Sequence, residues 1–290
     1  MKAGDRVALA QVGAHLPNDM KIAQGKIRGV VSNGMLCSEQ ELKLKDTSEG
    51  ILILPPSTPL GRPLAEILGL DDTTIVFKAT PNRGDLLSHY GLAREIGSAL
   101  GLKAKRGEAT TFDYKGSPIS VALEAGEQAP QFFGVYVEGV KIGPSPGWLV
   151  SRLEAVGQRS INNVVDATNL VLLELGHPMH AYDADKIEAK KIQVRMASAG
   201  ESLPLLDGQT VTLVGNELVI ADGKRAVGLA GVMGGGNSEV QDGTTRLFLE
   251  CAEFAPALVR RAATKHVRRT EAAQRFEKGV DPEGLAHAIG

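Results

Sequence analysis

Cysteine and aromatic residues are scarce in this sequence, and each scarcity excludes a class of protein. The two cysteines, Cys37 and Cys251, lie far apart and in no CxxC or Cys/His spacing. This arrangement argues against a disulfide framework and a zinc site, and it favours a reducing compartment. Aromatic residues make up only 4% of the chain, whereas glycine contributes 34 residues and proline 14. This composition predicts tight turns and short strands, and hence a β-rich α+β fold.

Long apolar runs and an excess of charge of either sign are also missing. No run approaches the roughly 18 apolar residues of a membrane span, and the first residues lack the apolar core of a signal peptide. We therefore expect a cytoplasmic protein without a membrane partner. With 43% apolar residues, 23% charged residues and a formal net charge of -2, the composition is that of an ordinary globular protein. A length of 290 residues predicts about two domains.

The first 116 residues divide into a β-rich part and a helix with a linker. Residues 1–70 alternate short apolar runs with Gly, Pro and Asn, which is typical of a small all-β unit. The candidate strands are too few for a complete barrel, so this part is expected to begin inside a domain. From Leu86 to Leu100 the apolar residues follow helical spacing, and Gly101 is placed to cap the helix. The polar stretch 103–116 predicts a linker.

Residues 117–290 show the pattern of a second, mixed α/β domain. Strands are predicted at residues 119–123 and 132–140, each bounded by Gly or Pro. A helix is predicted with Ser145 as its N-cap, Pro146 at its first position and Gly157 at its end. Asp-Gly pairs at 207–208 and 222–223 separate apolar runs, which predicts two hairpins.

The polar segment 159–183 carries two histidines. Its polar groups require mutual hydrogen bonds wherever they are buried. A metal hydrolase built on His177, His180 and Asp183 is one interpretation. Pro178 lies between the histidines and interrupts a helical face, which disfavours a metal site. The other interpretation of either histidine is a partly buried, hydrogen-bonded imidazole.

Glu250 lies in a predicted strand and shares a face with Phe248 and Ala252. Burying an unpaired carboxylate on such a face is costly. Glu250 is therefore either a structural partner of Arg246 or Arg275, or the specificity group of a pocket. The sequence leaves both interpretations open.

Two further segments have both a functional and a structural interpretation. The glycine-dense run 231–238 matches no dinucleotide or Walker pattern, so it is either a pocket wall or a tight turn. Residues 256–280 carry seven basic residues against two acidic ones, a net charge of +5. Within them Arg261, Lys265 and Arg268 have the i, i+4, i+7 spacing of one helix face. That face either follows a phosphate backbone or is simply solvated.

Several separate motifs together resemble the β subunit of bacterial phenylalanyl-tRNA synthetase. Residues 34–38, Gly-Met-Leu-Cys-Ser, resemble the later part of its tRNA-binding OB-fold domain. Residues 80–95, with Thr-Pro-Asn-Arg at their start, resemble the helix that follows it. Residues 160–183, 230–238 and 275–282 resemble its B3/B4 module. The resemblance covers nearly the whole chain.

The resemblance implies a domain order and a set of partners. It implies a partial OB-fold barrel at 1–70, a connecting helix and linker at 71–116, and a mixed α/β B3/B4 domain at 117–290. It also implies that the chain is a piece of a longer subunit, that tRNA(Phe) binds, and that a partner α subunit activates the amino acid. No cofactor or metal is expected in this piece, whereas ATP and Mg²⁺ belong to the complete enzyme.

For the B3/B4 module the resemblance implies editing, the hydrolysis of tyrosine wrongly esterified to tRNA(Phe). An apolar pocket that accepts phenylalanine cannot strongly reject an isostere with an added hydroxyl, so a second site must recognise that hydroxyl. Glu250 would accept the tyrosine phenol's hydrogen bond, and His180 as general base is a hypothesis. The other implied residues are Gly231, Gly234, Thr270 and Ala272 around the pocket, His180, Asn169 and Arg159 at the ester end or its water, and Arg261, Lys265 and Arg268 on tRNA.

The sequence departs from the family pattern at one segment, and the resemblance leaves one alternative function open. Residues 270–274, Thr-Glu-Ala-Ala-Gln, stand where the family commonly has Thr-Asp-Ser/Ala-Ser followed by an aromatic residue. The departure concerns the pocket wall near Ala272, whereas Thr270 is retained. The alternative is a tRNA-binding and structural piece of the same subunit without catalytic activity.

Overall fold

The computed structural model describes residues 1–112 and 115–290, which form two compact units, residues 1–73 and 74–290. The predicted linker 103–116 includes Asp113 and Tyr114, which lie outside the described residues. Its other residues form neither helix nor strand. The predicted boundaries at residues 70 and 116 stay predictions.

The first unit is built from short antiparallel strand pairs. Its core consists of small or medium-sized side chains: Ala8, Ala10, Leu16, Ile22 and Cys37. Arg6–Val7 (β1) pairs with Ile53–Leu54 (β6), Leu9–Gln11 (β2) with Gly34–Leu36 (β5), and Gly25–Ile27 (β3) with Val30–Ser32 (β4). The partial OB-fold in this unit stays a prediction. The elements are β1 Arg6–Val7, β2 Leu9–Gln11, β3 Gly25–Ile27, β4 Val30–Ser32, β5 Gly34–Leu36, β6 Ile53–Leu54 and helix α1 Leu64–Leu68.

The second unit contains six helices, none of them long and apolar enough to cross a membrane, within the described residues. The predicted connecting helix is confirmed, and it ends at Gly101, whose φ of 69° is the left-handed conformation that glycine favours. The six helices are α2 His89–Leu100, α3 Gly147–Ala155, α4 Asn163–Leu175, α5 Pro256–Lys265, α6 Glu271–Phe276 and α7 Leu285–Ile289.

Helix α3 forms as predicted, but its predicted cap is wrong. Pro146 occupies the N-cap position, and no side chain caps the helix. The Ser145 hydroxyl instead donates to the carboxylate of Asp166. Asp166 is fully buried, so this hydrogen bond satisfies a buried carboxyl group rather than the start of the helix.

Two sheets share the main core of the second unit. The strands are β7 Ser120–Leu123, β8 Gln131–Glu138, β9 Met179–Asp183, β10 Lys191–Met196, β11 Ser202–Pro204, β12 Thr210–Thr212, β13 Leu218–Ala221, β14 Ala226–Leu229, β15 Met233–Gly234 and β16 Arg246–Glu253. The order β15-β14-β13-β10-β7 defines the larger sheet, and β8-β16-β9 the smaller one. Both predicted Asp-Gly hairpins are confirmed: they connect β11 with β12 and β13 with β14.

The buried faces of the two sheets meet side chains from α5 and α6. Tyr182 and Phe248 come from the smaller sheet, Ile192 and Ile220 from the larger one, and Phe276 from α6, all in one buried cluster. The mixed, β-rich fold class is confirmed. The site described below opens within this unit.

Candidate functional site

A cavity of about 210 Å³ lies between the smaller sheet, the glycine-rich segment and α6. His180 and Tyr182 reach it from β9, and Glu250 from β16. Residues 228–234 form a second side, and Ala272 and Phe276 a third. The other lining residues are all apolar: Pro178, Met179, Leu206 and Ile220. A mostly apolar cavity with a few convergent polar groups is typical of a ligand site.

The strand register brings the polar groups together. In the antiparallel pairing of β16 with β9, Glu250 stands opposite His180 and Phe248 stands opposite Tyr182. Alternate residues of a strand point to the same face, so all four side chains share the face that looks into the cavity and core. Residues 70 positions apart in the sequence thus become cross-strand neighbours.

Glu250 is a buried carboxylate with one hydrogen-bond partner among the described residues. Its exposed fraction is 7%, and its Oε2 accepts a hydrogen bond from the Tyr182 hydroxyl at 2.5 Å. Burial raises the pKa of Glu250 to about 7, and the hydrogen bond from Tyr182 opposes that rise. The carboxyl therefore changes its charge near neutral pH.

The predicted structural pairing of Glu250 with an arginine is wrong. Arg246 pairs with Asp185 at 2.9 Å, and Arg275 pairs with Glu271 at 2.8 Å. Arg246 lies four residues before Glu250 in the same strand, but Arg246 is at the exposed start of the strand, whereas Glu250 is buried. The interpretation of Glu250 as a polar group of a pocket remains.

His180 is held as a neutral imidazole. Its ring packs edge-on against Tyr182 with centroids 4.4 Å apart, and burial lowers its pKa to about 4. Nε2 is buried without a hydrogen-bond partner among the described residues. A neutral imidazole with a free nitrogen can accept a proton, which is the property of a general base.

The glycine-rich segment serves as a pocket wall and also as a turn. Gly231 has a φ of +68°, and a Cβ there would lie 2.9 Å from Val259 and 3.0 Å from Phe276. A Cβ on Gly234 would overlap Cε1 and Nε2 of His180. The backbone therefore approaches His180 more closely than any side-chain-bearing residue allows.

Helix α6 places Ala272 on the cavity and is fixed by Thr270. The Thr270 hydroxyl accepts a hydrogen bond from the backbone N–H of Ala273 at 3.0 Å and donates to the carbonyl of Val232 at 2.7 Å. Thr270 itself is outside the residues that line the cavity. Its hydroxyl connects the helix to the glycine-rich wall.

Arg159 and Asn169 lie away from the cavity lining. Arg159 is exposed in the segment before α4, and Asn169 is half-buried within α4, which packs against β9. Their roles at the ester end stay predictions. The buried polar group of this segment is Asp166, which accepts hydrogen bonds from Ser160 and from the backbone N–H of Ile161.

The prediction that Arg261, Lys265 and Arg268 share one helix face is wrong. Helix α5 ends at Lys265, and Val267 has a φ of 53°, so the chain turns before Arg268. Lys265 lies 3.1 Å from a carboxylate oxygen of Glu217, and Arg268 lies 2.7 Å from one of Asp207. Arg261 is exposed. Their contact with tRNA stays a prediction.

The three candidate metal ligands do not converge. His180 and Asp183 are three residues apart in β9 and therefore point to opposite faces. Asp183 accepts a hydrogen bond from Thr244, and His177 packs beside Gly284. Across residues 1–112 and 115–290, no group of three His, Cys, Asp or Glu side chains is placed to hold a metal ion.

Sequence reasoning missed Tyr182, Met233 and Phe276. Tyr182 had a usable signal, because it lies two residues from His180 in an extended segment and so shares its face. Phe276 and Met233 had no comparable signal, since only the tertiary fold brings α6 and β15 beside the smaller sheet.

These observations define a mixed α/β domain whose cavity combines a buried carboxylate with a neutral histidine. A family model described as "B3/4 domain" matches residues 128–290. The chain therefore belongs to the B3/4 domain family.

The chain is also similar to curated proteins along nearly its whole length. It is 52% identical to the phenylalanine-tRNA ligase β subunit of Geobacter sulfurreducens and 50% identical to that of Anaeromyxobacter dehalogenans. Each match covers 99% of this chain and 36% of the relative, so the chain spans about a third of their length. An N-terminal fragment of the phenylalanyl-tRNA synthetase β subunit from Pyrococcus horikoshii matches 70% of this chain and 60% of that one, at 16% identity and a TM-score of 0.39.

Proposed function

We propose that the chain is part of a phenylalanyl-tRNA synthetase β subunit and that its cavity hydrolyses tyrosyl-tRNA(Phe). The observation that carries the proposal is the pair formed by Glu250 and His180, which are cross-strand neighbours on one wall of a mostly apolar cavity. Glu250 recognises the hydroxyl of the ligand, and His180 accepts a proton.

Recognition rests on the cost of an unpaired buried charge. A tyrosine side chain in the cavity donates a hydrogen bond from its phenolic hydroxyl to Glu250. Phenylalanine displaces water from the carboxylate and offers no donor, which costs about 1–3 kcal/mol or more for a charged group. The cavity therefore favours tyrosine, whereas an apolar activation pocket cannot strongly exclude it.

Hydrolysis requires a water molecule positioned at the ester carbonyl. We assign the general base to His180: Nε2 takes a proton from water as the oxygen attacks the ester carbon. When the carbon–oxygen bond to the tRNA ribose breaks, the same proton passes to the departing ribose oxygen, which leaves as a hydroxyl. Arg159, Asn169 or the neighbouring ribose hydroxyl are proposed to orient the ester.

The partners and location follow from the same proposal. The α subunit, tRNA(Phe), a partial OB-fold in residues 1–70 and a cytoplasmic location are proposed from the relatives' names and the sequence. The described residues offer no cluster of carboxylates suited to Mg²⁺. That ATP and Mg²⁺ act in the remainder of the enzyme stays a proposal from the resemblance, and no step here passes through them.

The direct test is a deacylation assay with tyrosyl-tRNA(Phe) and phenylalanyl-tRNA(Phe). We expect tyrosine to be released faster than phenylalanine, and we expect His180→Ala to lower the rate by about 10²- to 10⁴-fold, the usual contribution of a general base. If this variant kept the full rate of deacylation, His180 would not be the general base. The control is His177→Ala, which changes a buried histidine outside the cavity lining.

A second candidate is a tRNA-binding, structural piece without hydrolysis. The observation that favours it is the hydrogen bond from Tyr182, which partly satisfies Glu250 with no ligand. This candidate predicts tRNA binding with equal, slow loss of both amino acids in the deacylation assay.

A further inference from the structure

Tyr182 forms a hydrogen bond with one oxygen of Glu250, the carboxylate that is proposed to recognise the ligand. Its hydroxyl donates to Oε2 of Glu250 at 2.5 Å. Glu250 lines the cavity, and its Oε1 accepts no hydrogen bond from the described residues. A carboxylate has about four acceptor positions on its two oxygens, so a second donor can be accommodated.

The Tyr182 side chain has little freedom to leave this position. Its exposed fraction is 1%, and its ring packs against His180 at 4.4 Å and against Phe248 at 6.3 Å between centroids. A Cβ on Gly228 would lie 3.5 Å from the Tyr182 hydroxyl, so β14 limits its movement on a third side. The donor is therefore in place before any ligand arrives.

We propose that Tyr182 is a positioning residue that sets the cavity's preference for a phenolic ligand, by holding Oε2 of Glu250 and leaving Oε1 as the acceptor for the ligand hydroxyl. This proposal rests on the proposed function. Tyr182 acts through Glu250 and is not assigned contact with the reacting atoms.

The charge state of Glu250 gives this proposal a measurable signature. The hydrogen bond from Tyr182 lowers the pKa of the Glu250 carboxyl against the rise caused by burial. Among the described lining residues, His180 and Tyr182 are the other titratable groups, and burial keeps His180 neutral near pH 7. Cys251 is adjacent in β16 but points to the opposite face.

Tyr182→Phe removes only the hydroxyl. A hydrogen bond to the charged form stabilises that form, so loss of the hydroxyl raises the pKa of the Glu250 carboxyl further. At pH 7 a smaller fraction of Glu250 is then ionised. We expect the preference for tyrosine over phenylalanine at pH 7 to fall about fivefold or more, with recovery at higher pH.

The experiment measures the dissociation constants of free tyrosine and free phenylalanine between pH 5.5 and 8.5. Their ratio cancels the ionisation of the α-amino group that both ligands share. Tyr136→Phe is the matched control, because Tyr136 flanks Phe248 on the other side and donates its hydroxyl to the exposed Glu138. We expect the pH midpoint of the ratio to shift upward in Tyr182→Phe and to stay unchanged in Tyr136→Phe.

A second variant tests the same hydrogen bond without removing it. Replacing Tyr182 by 3-fluorotyrosine keeps the hydroxyl but makes it more acidic and a stronger donor, so the midpoint should move to lower pH. Midpoints equal to that of the unmodified protein in both variants overturn the assignment of Tyr182. If the unmodified protein shows no tyrosine preference at any pH, the proposed function fails first and this assignment falls with it.

Discussion

The contact between Gly234 and His180 is the tightest constraint on the cavity at the scale of single residues. His180 can occupy its position only because residue 234 has no side chain. The ring is also fixed by its edge-on contact with Tyr182. Placement of the imidazole therefore depends on a backbone position in another sheet as much as on β9 itself.

Gly234→Ala should displace the His180 ring, because the new Cβ would overlap Cε1 of the imidazole. Steric overlap in a packed site costs about 1–3 kcal/mol, so we expect a loss of unfolding free energy of this size together with weaker tyrosine binding. Urea unfolding and calorimetric binding measure the two effects. Gly243→Ala is the control, since a Cβ there meets no atom within 4 Å. Equal behaviour of the two variants would contradict the contact.

The shifted pKa values of Glu250 and His180 have opposite effects on stability. The pKa of Glu250 rises from an ordinary value of 4.5 to about 7, so the native state holds the extra proton and this contribution is lost as pH rises from 4.5 to 7. The pKa of His180 falls from 6.5 to about 4, so its contribution is present above pH 6.5 and lost as pH falls to 4. The two contributions largely compensate each other in the unmodified protein.

Glu250→Gln removes one of these contributions and should expose the other. Relative to the unmodified protein, we expect the variant to gain up to about 3 kcal/mol of unfolding free energy as pH rises from 4.5 to 7. Denaturant unfolding at several pH values measures this difference. A difference that does not change with pH would show that Glu250 titrates at an ordinary pKa.

At the scale of elements, α6 is a short helix whose position depends on polar contacts at both ends. Thr270 connects its start to the carbonyl of Val232. Near its end, Arg275 is buried and donates from Nε to the carbonyl of Leu87 at 3.1 Å. These contacts place Ala272 and Phe276 against the cavity.

Thr270→Ala removes both hydrogen bonds of that hydroxyl. Loss of an N-cap costs about 0.5–2 kcal/mol, and we expect a loss in the upper part of this range because the bond to Val232 is lost too. Thr270→Ser keeps the hydroxyl and should retain most of the stability and the tyrosine binding. Thermal unfolding distinguishes the variants. If Ser were as destabilising as Ala, packing of the methyl group would explain the effect instead.

Elements fixed by local sequence were predictable, whereas those decided by distant partners were not. The two hairpins and the Gly101 cap depend on turn chemistry within a few residues, and the structure confirms them. The Ser145 cap failed because a buried carboxylate 21 residues away takes that hydroxyl. The helix face through Arg268 failed because the chain turns at Val267, a residue with no turn signal in the sequence.

The cavity shows the same division between local and distant determinants. Glu250, His180, Gly231 and Gly234 were named from motifs, and the structure brings these four residues together. Tyr182 was within reach of the strand periodicity, but its contact with Glu250 spans 68 residues of sequence. Phe276 joins the lining through packing that no local pattern encodes.

At the scale of the whole molecule, the basic segment 256–280 is less available than its net charge suggests. Lys265 forms an ion pair with Glu217, and Arg268 forms one with Asp207. The buried Arg275 forms an ion pair with Glu271. Arg261 is exposed and forms no ion pair within the described part of the chain. Attraction for a phosphate backbone therefore rests on fewer side chains than the sequence predicts.

Arg261→Ala should weaken tRNA binding in a salt-dependent way. Each phosphate contact contributes about 0.7–0.9 to the slope of log affinity against log salt, so we expect the slope to fall by up to that amount. Lys265→Ala is the matched control and should leave the slope nearly unchanged, because its charge already faces Glu217. Filter binding at several salt concentrations measures both slopes. A larger change for Lys265 would contradict the ion-pair argument.

The proposed function requires Glu250 to make this cavity selective for the tyrosine hydroxyl, and calorimetric binding of free tyrosine and free phenylalanine tests this selectivity most directly. We expect the unmodified chain to bind tyrosine about 5- to 150-fold more tightly, the equivalent of about 1–3 kcal/mol. Glu250→Ala should abolish the difference. Glu253→Ala, on the same strand but the opposite face, should preserve it. Equal binding of both amino acids to the unmodified chain, or a preference that survives Glu250→Ala, would contradict the role of Glu250.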